Sequence, residues 1–217
     1  EATRPGYSAW HNFVSELSLS NQGWVQIVNF LISGGLVLCF ALGLRQVLRS
    51  GKGAVWGPLL LGVFGLGLII AGIFVTDPGL GYPSGLYGKA PQTLHGTIHG
   101  VAGLVVFFSV AIACFVMARR FAGDPAWKGW TLFSIIAGIL VLVFFIASTT
   151  VSALDEHGIF PNSPTGLFQR IAIVVGWCWI SMLALRLLSQ MRSSASWVDS
   201  AREADVVEYV DQAQRVK

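Results

Sequence analysis

Histidines and a few carboxylates are the residues of this chain with the most chemistry in them. His95 and His99 form an H-x-x-x-H pair, a spacing that sets both imidazoles on one side of a helix. Helical pairs of this kind bind Zn²⁺, and His11 is the third ligand on this reading. A water in the open position of such a zinc has its pKa lowered to about 7 and becomes a hydroxide nucleophile. Asp77 would orient or deprotonate that water, or hold a ligand imidazole from behind. Ser15, four residues after His11, would donate to a developing oxyanion. The substrate would be a lipid-like amide or ester. Glu16, Asp155 and Arg170 complete the polar set, whereas His157, between Glu156 and Gly158, reads as a solvated loop residue.

Two other readings compete with zinc. A bis-histidine haem needs ligands from facing helices, so His95 and His99 cannot both bind one iron axially, and one of them would pair with His11 or His157. In the third reading the histidines cap helices, bond to loop carbonyls and pair with Asp77 or Asp155, while Arg170 bridges the acidic loop ends. The protein is then an accessory, structural or lipid-interacting membrane subunit. That third reading leads, because an isolated H-x-x-x-H pair is more often structural than metallated. The zinc hydrolase is the alternative and the haem protein a further one. A transporter is disfavoured because no apolar segment has a charged residue at its centre, where ion relays lie. Walker, G-x-S-x-G and strand-linked G-x-G-x-x-G motifs are missing from the sequence.

The elements that must position these residues are apolar helices. The 217 residues are 54% hydrophobic and 12% charged, about half the charge of a soluble domain. Five stretches, about 24–46, 54–76, 94–118, 129–152 and 167–190, are long enough to cross a hydrocarbon core of about 30 Å. Helices satisfy their own backbone hydrogen bonds in lipid. The expected fold is therefore all-α: a polytopic transmembrane bundle with five spans here and six in the full protein. Residues 1–192 make one domain and 193–217 a cytoplasmic tail. In the tail Trp197, Ala201, Ala204, Val207 and Val210 draw an apolar helical stripe. Trp10, Phe13, Val14 and Leu17 have helical spacing too, which predicts a short interfacial helix.

Loop charge sets the orientation. Arg45, Arg49 and Lys52 follow the first span, Arg119, Arg120 and Lys128 the third, and Arg186 and Arg192 the fifth. By the positive-inside rule these are cytoplasmic, so the chain starts outside a cell membrane and ends inside. The apolar helix needed to carry that start across is expected upstream of Glu1, as a cleaved signal peptide or a sixth helix. The net charge of +3 gives no footprint for nucleic acid. The partners expected are the lipid bilayer and other membrane subunits. Cys39, Cys114 and Cys178 fall inside the spans as packing residues.

Two segments share a pattern. I-I-A-G-I precedes Asp77 and Tyr82-Pro83, and I-I-A-G-I precedes Asp155 and Phe160-Pro161, each Asp standing at the same interval before its aromatic-Pro pair. Each unit reads as a helical hairpin with an irregular loop, 77–92 or 155–166. Gly96 and Gly100 form a small-xxx-small pair that predicts close helix packing beside the histidines.

Three motifs carry a family resemblance: G-Y-S-A-W-H-N-F-V-S-E-L-S-L-S-N-Q-G-W-V-Q-I-V-N-F at 6–30, A-G-I-F-V-T-D-P at 71–78 and L-H-G-T-I-H at 94–99. In this order they resemble DUF998, a multi-pass membrane family whose name supplies no activity. The resemblance covers the helices and excludes the tail, and it implies a further helix before the first motif. Separately, the types His, His, His, Asp and Ser are similar to the ligand sets of intramembrane zinc hydrolases such as alkaline ceramidases. There, however, Ser precedes His in the early motif and the H-x-x-x-H pair lies on the last helix, so only residue types carry over.

Overall fold

The computed structural model describes residues 3–84 and 91–215, with side chains described up to residue 192. Five α-helices run in order: α1 Gly23–Val47, α2 Trp56–Ile73, α3 Leu94–Phe121, α4 Trp130–Glu156 and α5 Thr165–Arg215. All five are long and apolar enough to cross a membrane, α5 over Thr165–Arg192. Their number among the described residues is the five that the apolar stretches predict. Glu1 and the tail stripe of Trp197 to Val210 lie outside what is described at the side-chain level. The chain divides into two compact units, Glu1–Trp177 and Cys178–Lys217. The first holds α1 to α4, the start of α5 and the segment before α1, and the second is the remainder of the α5 helix.

Within the first unit consecutive helices pack on one another: α1 on α2, α2 on α3, and α3 on α4. Glycine decides the first of these contacts. A Cβ added to Gly34 would stand 2.6 Å from the Gly65 carbonyl oxygen, and one added to Gly65 would stand 2.8 Å from that of Gly34. The two backbones therefore touch, as small residues permit in lipid. The expected Gly96–Gly100 contact does not form: a Cβ on Gly100 meets nothing within 4 Å, and Gly96 makes room for the Asp77 carboxylate instead.

The two ends of the unit differ. At one end lie the basic loops, where the Arg120 Nη1 donates to the carbonyls of Ser50 and Lys52 at 2.9 and 3.0 Å. Phe121 stacks on Trp127 with ring centroids 4.4 Å apart, and Trp130 sits edge-on to both. The other end is covered by a cap of three segments: residues 3–22, the loop after α2 and the loop between α4 and α5. Trp10 Nε1 donates to Asn162 O, Asn12 Nδ2 to Leu80 O, and Ser84 Oγ to Pro5 O.

The first cap segment departs from the helix its apolar spacing predicts. It is a series of turns with one 3-10 helix, Val14–Ser18. The reason lies in Arg170 near the start of α5. Its guanidinium donates to the carbonyls of Ala9, Asn12 and Gly166, and to the Tyr7 hydroxyl at 2.5 Å. The first two carbonyls are ones an α-helix would need for its own ladder. Tertiary bonds to a fixed cation replace local pairing.

Candidate functional site

The cap is joined largely by the residues that the sequence marks as polar. Asp77 accepts from the Thr93 amide at 2.8 Å and the Thr93 hydroxyl at 2.6 Å. Thr93 in turn caps α3, its Oγ1 accepting from the Gly96 amide. Asp155 accepts from the Ser163 amide at 2.7 Å, two residues before α5 begins. Each Asp thus ties the end of one helix to the start of the next, which gives the repeated pattern a shared structural joint. His11 Nδ1 donates to Ser163 O at 3.1 Å and lies 3.5 Å from Asp155.

Glu16 is the most deeply placed of these carboxyls, only 2% exposed. Its Oε2 accepts from the Phe13 amide at 2.9 Å, closing the first turn of the 3-10 helix. Burial pushes its pKa up to about 8; the Asn12 amide and the N–H groups of Phe13 and Gly79 pull it down, and Glu156 adds a smaller upward push. Near neutral pH the carboxyl is therefore mostly protonated, as desolvation dictates. His11, Glu16, Asp77, Asp155 and Glu156 border a common cleft of about 550 Å³ beneath the cap.

The three histidines of the zinc reading do not converge. His95 is exposed and sits edge-on to Phe74 at 5.2 Å. His99 is 7% exposed, and its Nδ1 donates to Ala71 O at 3.0 Å and Phe74 O at 2.8 Å. Those carbonyls belong to the end of α2, which has no further helical N–H groups to receive. His11 faces the α4–α5 loop. Among the described residues no three His, Cys, Asp or Glu side chains are grouped to hold a metal ion. The i, i+4 spacing put two imidazoles on α3, but α2 claims a nitrogen of one. His157 ends α4 as an exposed residue. Ser148 donates across to Thr165 O at 2.8 Å, whereas Thr149 bonds back within its own helix, to Phe145 and Ile146.

A second space lies deeper. A cavity of about 280 Å³ opens among α1, α2, α3, the start of α5 and the 3-10 helix. Ser15, Gln26, His99 and Gln169 line it toward the cap, and Phe64, Val106, Phe107, Val110 and Trp177 line it toward the bundle middle. Gln26 is 8% exposed and has no hydrogen-bond partner among the described residues. Gln169 is oriented by the Val14 amide, which donates to its Oε1 at 2.7 Å; its amide N–H groups remain for the cavity. Asn29, also on the lining, accepts from Ser33 Oγ at 3.4 Å. Of these lining residues only Ser15 and His99 stood among the residues singled out from sequence. The missed signal is the run Gln26, Asn29, Ser33 at spacings of three and four in an otherwise apolar span, which draws one polar stripe on α1.

Five apolar helices with a polar cap and an uncharged cavity define a polytopic helical membrane protein. Residues 1–186 match the family described as Protein of unknown function (DUF998), and the chain belongs to that family. No curated protein and no solved structure matches the chain.

Proposed function

We propose that this protein is a lipid-interacting membrane subunit, accessory in role, that holds a lipid inside its bundle beneath the cap. The observation that carries this reading is the cavity of about 280 Å³, with Ser15, Gln26, His99 and Gln169 at its cap end, Asn29 and Ser33 continuing down α1, and apolar side chains of α2, α3 and α5 around its deeper part. That polarity is the polarity of an amphiphile in a bilayer leaflet. An accessory role is supported by the work the conspicuous polar residues already do. Asp77, Asp155, His11 and one nitrogen of His99 bond to backbone groups that hold the cap and the helix ends. By the loop-charge rule the cap end faces out of the cytoplasm, so the lipid would come from the outer leaflet.

The test uses Gly103, which lines the cavity and where an added Cβ meets nothing within 4 Å. Gly103→Phe should fill the space without moving a backbone. Protein extracted into native nanodiscs and analysed by native mass spectrometry should carry one retained lipid per chain, and the variant, folded by size exclusion and melting, should not. Equal lipid retention by both would end this reading.

A further inference from the structure

We propose that the cavity selects a single-chain amphiphile whose uncharged head both donates and accepts hydrogen bonds, such as a monoacylglycerol or a primary fatty amide, read by Gln26, Gln169 and His99. This rests on the cavity holding a lipid at all, the reading given above.

The first argument is the unsatisfied carboxamide. Gln26 lies in the first turn of α1 and borders the cavity, over nine-tenths buried, with neither its oxygen nor its nitrogen hydrogen-bonded among the described residues. Covering such a group with apolar matter and giving it no partner is unfavourable. An aliphatic chain cannot supply the bonds, whereas a polar head can, as water can, so the position favours an occupant with a polar head. Gln26 offers one acceptor and two donors.

Its neighbours extend the same chemistry. The Val14 amide occupies the oxygen of Gln169, so Gln169 presents its N–H groups as donors. His99 spends Nδ1–H on the α2 carbonyls, so Nε2 of the neutral ring is left as an acceptor. Two donor-bearing amides and an imidazole acceptor suit a head with both kinds of group.

Charge narrows the class. Among the described residues no Lys, Arg, Asp or Glu lines the cavity. A phosphate or carboxylate head would be buried without a countercharge, which is strongly unfavourable. Shape narrows it again. From His99 to Val110 along α3 the lining runs about 16 Å at a rise of 1.5 Å per residue. A cavity of about 280 Å³ lies at the lower edge of ligand pockets, which leaves no room for a second chain.

The experiment measures quenching of tryptophan emission by a chain-brominated monoacylglycerol bound to the purified full chain in maltoside micelles. Trp177 lines the cavity and should report the bromines. Unlabelled monooleoylglycerol and oleamide should compete. Lysophosphatidic acid and hexadecane should compete at least about tenfold less well, a difference of about 1.4 kcal/mol. Gln26→Leu should weaken the labelled probe about tenfold, as loss of one or two bonds to a buried group implies. Lysophosphatidic acid competing as well as monooleoylglycerol, or an unchanged affinity in folded Gln26→Leu, would overturn the proposal. If that variant does not fold, the headgroup comparison on the native chain still decides. Quenching that Gly103→Phe leaves untouched means the cavity holds no lipid, in which case the broader reading fails first.

Discussion

Glu16 shows how burial changes what a carboxyl does. In the sequence it is one member of a polar set with Asp155 and Arg170. In the structure it is sealed beneath the cap, where burial raises it from an ordinary value of 4.5 to about 8. A folded-state pKa above the unfolded one means that the folded chain binds more protons between those values, so stability falls as pH rises through the window. We therefore expect the melting temperature of the detergent-purified protein to drop between about pH 5 and pH 8. Glu16→Gln keeps an oxygen for the Phe13 amide but cannot ionise, and should flatten that drop. The difference at the alkaline end should be up to about 5 kcal/mol, the shift from 4.5 to about 8 taken at about 1.4 kcal/mol per pKa unit. Parallel melting profiles for the two proteins would show that Glu16 does not carry the dependence. The histidines make the converse point. H-x-x-x-H spacing was legible, and so was the shared helix face, but the partner of each nitrogen was not. A carbonyl at the end of α2 is invisible in a string of letters because it comes from another helix.

At the scale of elements, the five apolar helices followed from apolar runs because a span must be long, continuous and internally bonded. Helix contacts did not follow. Small residues occur throughout the spans, and only the fold decides which of them meet another backbone. Gly34 and Gly65 do, with α1 and α2 in direct contact; Gly35, Gly43 and Gly100 have open space beside them. Gly34→Ala should thus cost about 1–3 kcal/mol in SDS-induced unfolding, as overpacking does. Gly43→Ala should be neutral or stabilising by up to about 1 kcal/mol, because alanine removes glycine's backbone freedom. A reversed order for the two variants would contradict the α1–α2 packing. The first cap segment illustrates the same limit. Trp10, Phe13, Val14 and Leu17 had the spacing of a helix, yet Arg170 draws two carbonyls out of any helical ladder.

For the whole molecule, the distribution of Lys and Arg predicts which end lies in the cytoplasm. With native cysteines replaced, Lys52→Cys in the basic end should resist a membrane-impermeant maleimide applied to intact cells, and Asn162→Cys in the cap should react. The opposite pattern would invert the topology and with it the leaflet that supplies the lipid. By itself the sequence determined that this is a polytopic helical membrane protein of the DUF998 family, with five apolar helices among the described residues and polar residues gathered at the loop ends. Composition and run length suffice for that, because lipid leaves a chain few ways to satisfy its backbone. Only the tertiary structure decided what those polar residues do. It assigned Asp77, Asp155 and His11 to holding the cap, gave His99 a carbonyl pair on α2, and left Gln26 buried at an uncharged cavity. Hydrogen-bond partners are chosen across helices, and the sequence orders residues only along them.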